Sequence, residues 1–202
     1  MIFNTEAEFE AVMITALQNK GWENRVLKYP TEETLLKNWA DILFENNRGI
    51  DRLNDAPLTD TEMQQILEQV LALRTPLKLN GFINGKTVSI TRDNPDDPFH
   101  FGKEVSLKIY DRREIAAGQS RYQIAQQPKY KSKSKILNDR RGDLMLLING
   151  MPVFHLELKK SGIPVSQAYY QIEKFSDEGI FRNLLFGADI CGDAAGRDGL
   201  FC

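Results

Sequence analysis

One stretch of this chain carries charge where an apolar strand should end. Arg141-Gly142-Asp143 opens the apolar run Leu144 to Ile148, a turn follows at Asn149-Gly150, and a second apolar run closes in Glu157-Leu158-Lys159-Lys160. An unpaired buried charge is very costly, so acids and lysines in such places need something to hold them. Two carboxylates with an ammonium beside them suit a divalent cation that prefers oxygen ligands, with Lys159 facing the same group.

The geometry constrains the reading. Side chains alternate along a strand, so Glu157 and Lys159 share one face and Leu156 and Leu158 the other. A two-residue turn at Asn149-Gly150 pairs Ile148 with Met151 and sets Asp143 opposite Leu156, on the wrong face. A three-residue loop, a type I turn closed by a bulge with Gly150 in the left-handed position, changes the parity. It brings Asp143 onto the face of His155, Glu157 and Lys159. The expectation is therefore a bulged hairpin rather than the tight Asn-Gly turn. On these residues alone an ordinary hairpin whose end charges snorkel to solvent stays open as the other reading.

The flanking sequence extends the pattern. Tyr110-Asp111 and Arg121-Tyr-Gln-Ile-Ala-Gln-Gln127 precede Arg140 to Asp143. The turn Ile148 to Pro152 reads hydrophobic-Asn-Gly-hydrophobic-Pro, and Leu156-Glu157-Leu158-Lys159 is followed by Gln171 and Phe175 on the next helical stretch. From roughly Val105 to Phe186 this arrangement resembles the PD-(D/E)xK nuclease superfamily, and within it the N-terminal nuclease domain of type I restriction enzyme R subunits. Two positions depart from the pattern. Gly142 stands where the family has a proline, a change expected to do no more than relax the backbone. Phe175 stands where it has a tyrosine, which removes a hydroxyl.

The resemblance implies an α/β (α+β) fold of restriction-endonuclease-like type, a mixed central sheet flanked by helices, with an N-terminal helical insert. It implies metal-assisted hydrolysis of DNA phosphodiester bonds, with Mg²⁺ held by Asp143 and Glu157 and with Mn²⁺ able to substitute. The backbone carbonyl of Leu158 is a further ligand by resemblance. Lys159 would orient the attacking water or balance charge on the phosphate. Gln171 would position the scissile strand, Phe175 lies beside it, and an acid of the first helix, Glu8 or Glu10, can add to the site. His155 is read as a packed neighbour of Glu157. The implied partners are DNA and the modification and specificity subunits of a type I restriction complex. The alternatives are a stand-alone repair or recombination nuclease of the same superfamily, and a non-catalytic DNA-binding or docking module.

Charge is consistent with a DNA role without a global field. The net charge of the 202-residue chain is -2, so no overall positive potential gathers nucleic acid. Locally, Lys129, Lys131, Lys133, Lys135, Arg140 and Arg141 form a basic run. Lys133, Lys135, Arg140, Arg141 and Lys160 are the candidate phosphate contacts, each of which would release counterions on binding; the other reading of the run is a solvated loop. The two cysteines, Cys191 and Cys202, have no zinc-ligand company and form no disulfide framework. With no apolar run of membrane-spanning length and no signal peptide before the first helix, the cytoplasm is the expected setting.

The elements that must position these groups follow from periodicity. Asn4 to Lys20 reads as an amphipathic helix with Thr5 as N-cap and Gly21 as stop. Thr31 to Asn46 and Thr59 to Leu73 read as two more, the latter opened by a capping box at Thr59 and Glu62. Trp39, Leu35, Leu36, Ile42 and Leu43 are expected to pack on Leu67, Val70 and Leu71. Gly81 to Thr87 is one residue short of a phosphate loop and runs into a strand-like pattern, so an Asn84-Gly85 hairpin turn is expected and no ATP site. Asp93 to Pro98 reads as a turn-rich loop, Val105 to Asp111 and Tyr122 to Ala125 as strands, and Val165 to Asp177 as a helix. The expected organisation is one nuclease domain over 1–186, its helical part at about 4–73 and its catalytic sheet core at about 76–186. The glycine-rich 187–202 is expected to be a frayed or truncated tail.

Overall fold

A computed structural model describes residues 2–49, 51–73, 87–110, 112–116, 118–130, 140–177 and 188–193. The chain forms two compact units, one of Met1–Glu33 with Arg121–Cys202 and one of Thr34–Ser120.

The first unit begins with helix α1, Glu6–Gln18. Its start follows from sequence: Thr5 accepts from the Glu8 N–H, and the Glu8 carboxylate returns to the N-cap backbone. Strand β1, Val26–Lys28, comes next in this unit, and after the second unit come β4, Tyr122–Gln126, β7, Leu144–Ile148, and β8, Met151–Lys159. Helix α5, Val165–Asp177, and strand β9, Ala188–Asp193, complete it. The short strands β5, Lys129–Tyr130, and β6, Arg140–Arg141, pair with each other in antiparallel fashion. The main sheet has the order β1-β4-β7-β8-β9. Its two ends pair in parallel and its centre in antiparallel fashion. This is the mixed sheet flanked by helices that a restriction-endonuclease-like α+β fold requires. Phe9, Met13, Ile14 and Leu17 of α1 cover the buried face formed by Ile124, Leu144, Leu146, Leu156 and Leu158.

The β7–β8 hairpin differs from expectation in an instructive way. Its turn is the tight one: Ile148 pairs with Met151, and Asn149 and Gly150 both have left-handed φ, 51° and 83°. Two successive left-handed residues match the twist of the strands they join. The Asn149 side chain also accepts from the Arg121 N–H at 2.9 Å, tying the turn to the start of β4. The irregularity lies further along, where Leu147 pairs with Pro152 but Leu146 with Phe154, leaving Val153 as the extra residue. Proline has no N–H for a ladder and is accommodated in sheets at bulges, which accounts for the location. The three-residue loop is thus replaced by a two-residue turn plus a bulge, with the same effect on parity.

Part of the expected tail, Ala188–Asp193, forms a strand; the rest of 187–202 lies outside the described residues. Ala188–Asp193 lies parallel to β8, with Cys191 opposite Glu157 and Gly192 opposite Leu158. The glycines that suggest a loop are outweighed by backbone pairing to a neighbour distant in sequence, a common tertiary override of strand propensity.

The second unit contains α2, Glu32–Asn47, α3, Asp60–Leu71, the antiparallel pair β2, Thr87–Thr91, and β3, Glu104–Lys108, and the short α4, Arg112–Ala116. The two strands expected in the catalytic sheet core therefore belong with the helices. Leu35, Trp39, Ile42, Leu43, Ile66 and Val70 are buried, as are Val88, Ile90, Val105 and Leu107, which alternate with more exposed residues. An apolar stripe on two helices must be covered, and these strands supply a face of the right period. Leu36, Leu67 and Leu71 are only half-buried. The capping box of Thr59 and Glu62 is formed. Residues 81–86 of the phosphate-loop-like segment, with the Asn84-Gly85 turn, lie outside the described residues. No described helix is long and apolar enough to cross a membrane.

Buried charge in this unit is fully engaged. Arg92 meets Glu62 at 2.6 Å and Asp97 at 3.2 Å, all with side chains out of solvent. Burial works against the Asp97 charge, but hydrogen bonds from His100, Asn54 and Arg92 hold its carboxyl below the usual range. Removing the guanidinium would strand two acids. Arg92→Ala is expected to lower stability by about 3–5 kcal/mol in urea unfolding; a loss under 1 kcal/mol would show that the acids find other partners.

Candidate active site

Leu144 pairs with Leu156, so Asp143 stands one step further out on β7, beside Glu157. Its Oδ2 accepts from the Leu158 N–H at 2.7 Å, which fixes the carboxylate against β8. Glu157 and Lys159 extend from the same face of β8. The Lys159 ammonium lies 3.2 Å from Glu157 Oε1, 3.0 Å from Gln171 Oε1 on α5 and 3.6 Å from Glu6 Oε1 in the first turn of α1. The expected trio of Asp143, Glu157 and Lys159 is therefore gathered at one place, with Gln171 in contact.

Of the two first-helix acids expected as candidates, Glu10 and not Glu8 lies near the strand carboxylates. Glu8 is used up in the capping box, accepting from the Asn4 and Thr5 N–H groups, and is exposed. Glu10 is the buried acid, 4 % exposed, and receives the side-chain amides of Gln126 and Gln127. It is close enough to Asp143 for their charges to interact. Gln127 also donates its N–H to the Asp143 carbonyl at 2.7 Å. Sequence reasoning missed Glu6, Gln126 and Gln127. The signal for the helix was present, because Thr5-x-x-Glu8 is itself a capping box and so assigns Glu8 to the cap.

The electrostatics suit a cation. Glu157 is 1 % exposed, and its Oε2 has no hydrogen-bond partner among the described residues. Buried polar atoms rarely go unsatisfied. Burial, and after it the charge of Asp143, pushes the Glu157 carboxyl up to about 8. Burial likewise raises Asp143, and it raises Glu10 against the pull of the two glutamine amides. Burial would lower Lys159, but Glu157, Glu6 and Asp143 outweigh it and hold the lysine above its ordinary value. Lys159 is thus a fixed cation at neutral pH, suited to orienting or neutralising and not to taking up a proton. Among the described residues no group of three or more His, Cys, Asp or Glu can hold a metal ion. The two strand carboxylates with the orphaned Glu157 oxygen fit Mg²⁺, which commonly takes one or two protein carboxylates and completes its shell with water and phosphate.

Gly142 does more than relax the backbone. Its N–H donates to the Pro128 carbonyl at 3.2 Å, and a Cβ at this position would stand 2.6 Å from His155 Nε2. A proline here would lose the bond and strike the imidazole. His155 is fully buried, with Nε2 3.8 Å from Glu157 Oε2. The departure at Gly142 and the presence of His155 are therefore one steric arrangement.

Of the expected phosphate contacts, Arg141 is exposed with Nη1 3.3 Å from Gln127 Oε1, and Lys160 is exposed. Arg140 lies on β6, opposite Tyr130. Lys133 and Lys135 lie outside the described residues, and Phe175 is on α5 but its side chain lies outside them. The Leu158 side chain is in the core, and its carbonyl is carried on the backbone segment between Glu157 and Lys159.

Comparison with known proteins places these features. The family described as type I restriction enzyme R protein N terminus matches residues 3–186. A type I restriction enzyme endonuclease subunit of Staphylococcus saprophyticus is 31% identical over 185 residues, covering 90% of this chain and 18% of the relative. One from Staphylococcus aureus is 28% identical over 189 residues, with the same coverage. The EcoprrI endonuclease subunit of Escherichia coli is 25% identical over 177 residues, 87% of this chain and 50% of the relative. The chain thus spans about a fifth of the staphylococcal relatives and half of the one from E. coli.

Two outcomes follow from the site's physics. Glu157 favours its protonated form in the fold, so its contribution to metal-free stability should be full below about pH 4.5 and be lost as the pH rises through about 8. Glu157→Gln should flatten that slope in thermal melts, and Mg²⁺ should restore stability to the wild type at the alkaline end; a melting temperature independent of pH in both proteins would remove burial of this acid as the cause. Separately, Gly142→Ala should destabilise by about 1–3 kcal/mol through overpacking. In a His155→Ala background it should cost little, and a double-mutant cycle showing no coupling would refute the steric link.

Proposed function

Because the chain belongs to the family of type I restriction enzyme R protein N-terminal domains, we propose that it is the DNA-cleaving module of such a subunit, a Mg²⁺-dependent deoxyribonuclease that hydrolyses phosphodiester bonds. The observation that carries the reading is the gathering of Asp143, Glu157 and Lys159 around a buried carboxylate oxygen that has no hydrogen-bond partner among the described residues. Held by Asp143, Glu157 and the Leu158 carbonyl, the metal would supply Lewis acidity toward the phosphate and a water of lowered pKa.

The chain's own residues do the rest. Asp143 is held in place by the Leu158 N–H, so its second oxygen is presented without searching for a rotamer. Lys159, fixed by Glu157, Gln171 and Glu6, places a permanent positive charge where negative charge grows on the phosphate. Gln171 both orients that lysine and offers its amide nitrogen to a strand lying across the site. Arg141 and Lys160 take phosphates at the rim. On this reading the modification and specificity subunits named for such systems are the partners, and Mn²⁺ can replace Mg²⁺.

Purified chain incubated with plasmid DNA and Mg²⁺ or Mn²⁺ tests this directly. Wild type should nick or linearise the DNA, Asp143→Asn should fall to background, and Lys159→Ala should lose about 100-fold in rate. Cleavage by Asp143→Asn at the wild-type rate would end the assignment. Chelation with EDTA should stop the wild type as completely as the substitution does.

A further inference from the structure

A second feature of the first unit is built at a cost to the fold and is not explained by packing. Tyr29 follows β1 with φ of 52°, a left-handed conformation that glycine and asparagine adopt readily and an aromatic residue does not. The side chain gains little burial in return, since it is 47 % exposed. Over its ring stand two cations, Lys129 Nζ at 5.6 Å and Arg141 Cζ at 5.8 Å from the centroid. Those two residues are direct partners across the β5–β6 ladder, where like charges repel. Cation–π attraction to the ring offsets part of the cost of the left-handed backbone and of the two facing cations, yet ring and cations stay open to solvent on one side. Together they match a strand that carries both phosphates and flat rings.

Their position points the same way. Arg141 is two residues before Asp143 in the chain, and its guanidinium reaches Gln127. Gln127 in turn contacts Glu10 and bonds the Asp143 carbonyl. The aromatic and its cations are therefore connected by direct contacts to the backbone of Asp143 and to the helix acid Glu10. From this geometry we infer that Tyr29, Lys129 and Arg141 form a DNA-contact platform beside the hydrolytic site. The ring bears on a base or sugar, and the two cations hold the flanking phosphates. This inference rests on the nuclease reading of the preceding subsection. It adds Tyr29 and Lys129 as determinants of how the strand is held and leaves the hydrolytic step to other residues.

The conformation of Tyr29 supplies a clean test, because the substitution that fits its backbone best removes the proposed contact. Tyr29→Asn should leave the melting temperature unchanged or raise it, while Ala would confuse loss of contact with backbone preference. Binding of a fluorescent DNA by the full chain is followed by anisotropy in Ca²⁺ across a salt series, and cleavage in Mg²⁺ or Mn²⁺. Tyr29→Asn should bind about tenfold more weakly, as loss of an aromatic contact to a base does. Lys129→Ala combined with Arg141→Ala should reduce the slope of log affinity against log salt by about two. Asp143→Asn, which should not cut, separates this test from the first. Tight binding by Asp143→Asn together with weak binding by Tyr29→Asn is the expected pattern. Wild-type affinity and salt slope in both platform variants would overturn the platform while leaving the nuclease reading standing. Failure of the wild type itself to bind or cut DNA would overturn the nuclease reading and the platform with it.

Discussion

The grouping of Asp143, Glu157 and Lys159 depends on one extra residue in β8. A strand has a side-chain period of two, so a register offset of one residue sends every side chain to the opposite face. With the tight Asn149-Gly150 turn and no bulge, Asp143 would share a face with Leu156 and not with Glu157. Val153 removes that mismatch. The requirement comes from both sides of the sheet at once. Leu144, Leu146, Leu156 and Leu158 must pack under the apolar side of α1, and Asp143, Glu157 and Lys159 must stay out of that apolar cluster. Either demand alone fixes the parity, and the bulge beside Pro152 satisfies both.

What the bulge brings together is electrostatically uncomfortable without a ligand. Two acids raised by burial share the region with an ammonium that is held by three oxygens. The lysine neutralises part of the charge but leaves one Glu157 oxygen with no hydrogen-bond partner among the described residues. Such local strain at a site, offset by packing elsewhere, is where departures from good folding practice are expected when a site is built for chemistry. The Gly142 and His155 contact belongs to the same economy of space. Glycine lets the imidazole fill the volume behind Glu157, so the acid sits against a ring and not against water.

Much of this was legible in sequence, and what was not has a physical reason. Asp143, Glu157 and Lys159 stand out because charges at the ends of apolar runs are anomalous whatever the fold. The helices were readable from period and caps, with Thr5 and Thr59 marking two starts correctly. The bulge was mislocated because Asn149-Gly150 suits either turn, and the missing N–H of Pro152 matters only once a partner strand is known. Strand β9 was hidden because Gly192 reads as loop until β8 is beside it. The allotment of β2 and β3 to the helices of the second unit depends on which apolar stripe lacks a cover, a question about volume and not about pattern. Tyr29 gave no sequence signal at all. Its meaning comes from a left-handed φ and from two cations about a hundred residues further along the chain.

The paucity of ligands at the site has a consequence for how the proposed activity would be controlled. Mg²⁺ gives up water reluctantly and is typically held by one or two carboxylates together with a substrate phosphate. Asp143 and Glu157 supply the first part only. On the nuclease reading the scissile phosphate completes the shell, so metal and DNA each raise the affinity of the other by the same factor, as linkage demands. A third strand carboxylate would tighten the metal in the absence of DNA and weaken that coupling. It would also add negative charge against the incoming phosphate. On that reading the two-acid arrangement, with Lys159 held charged beside it, would favour assembly of the complete site only where a DNA strand is already in place.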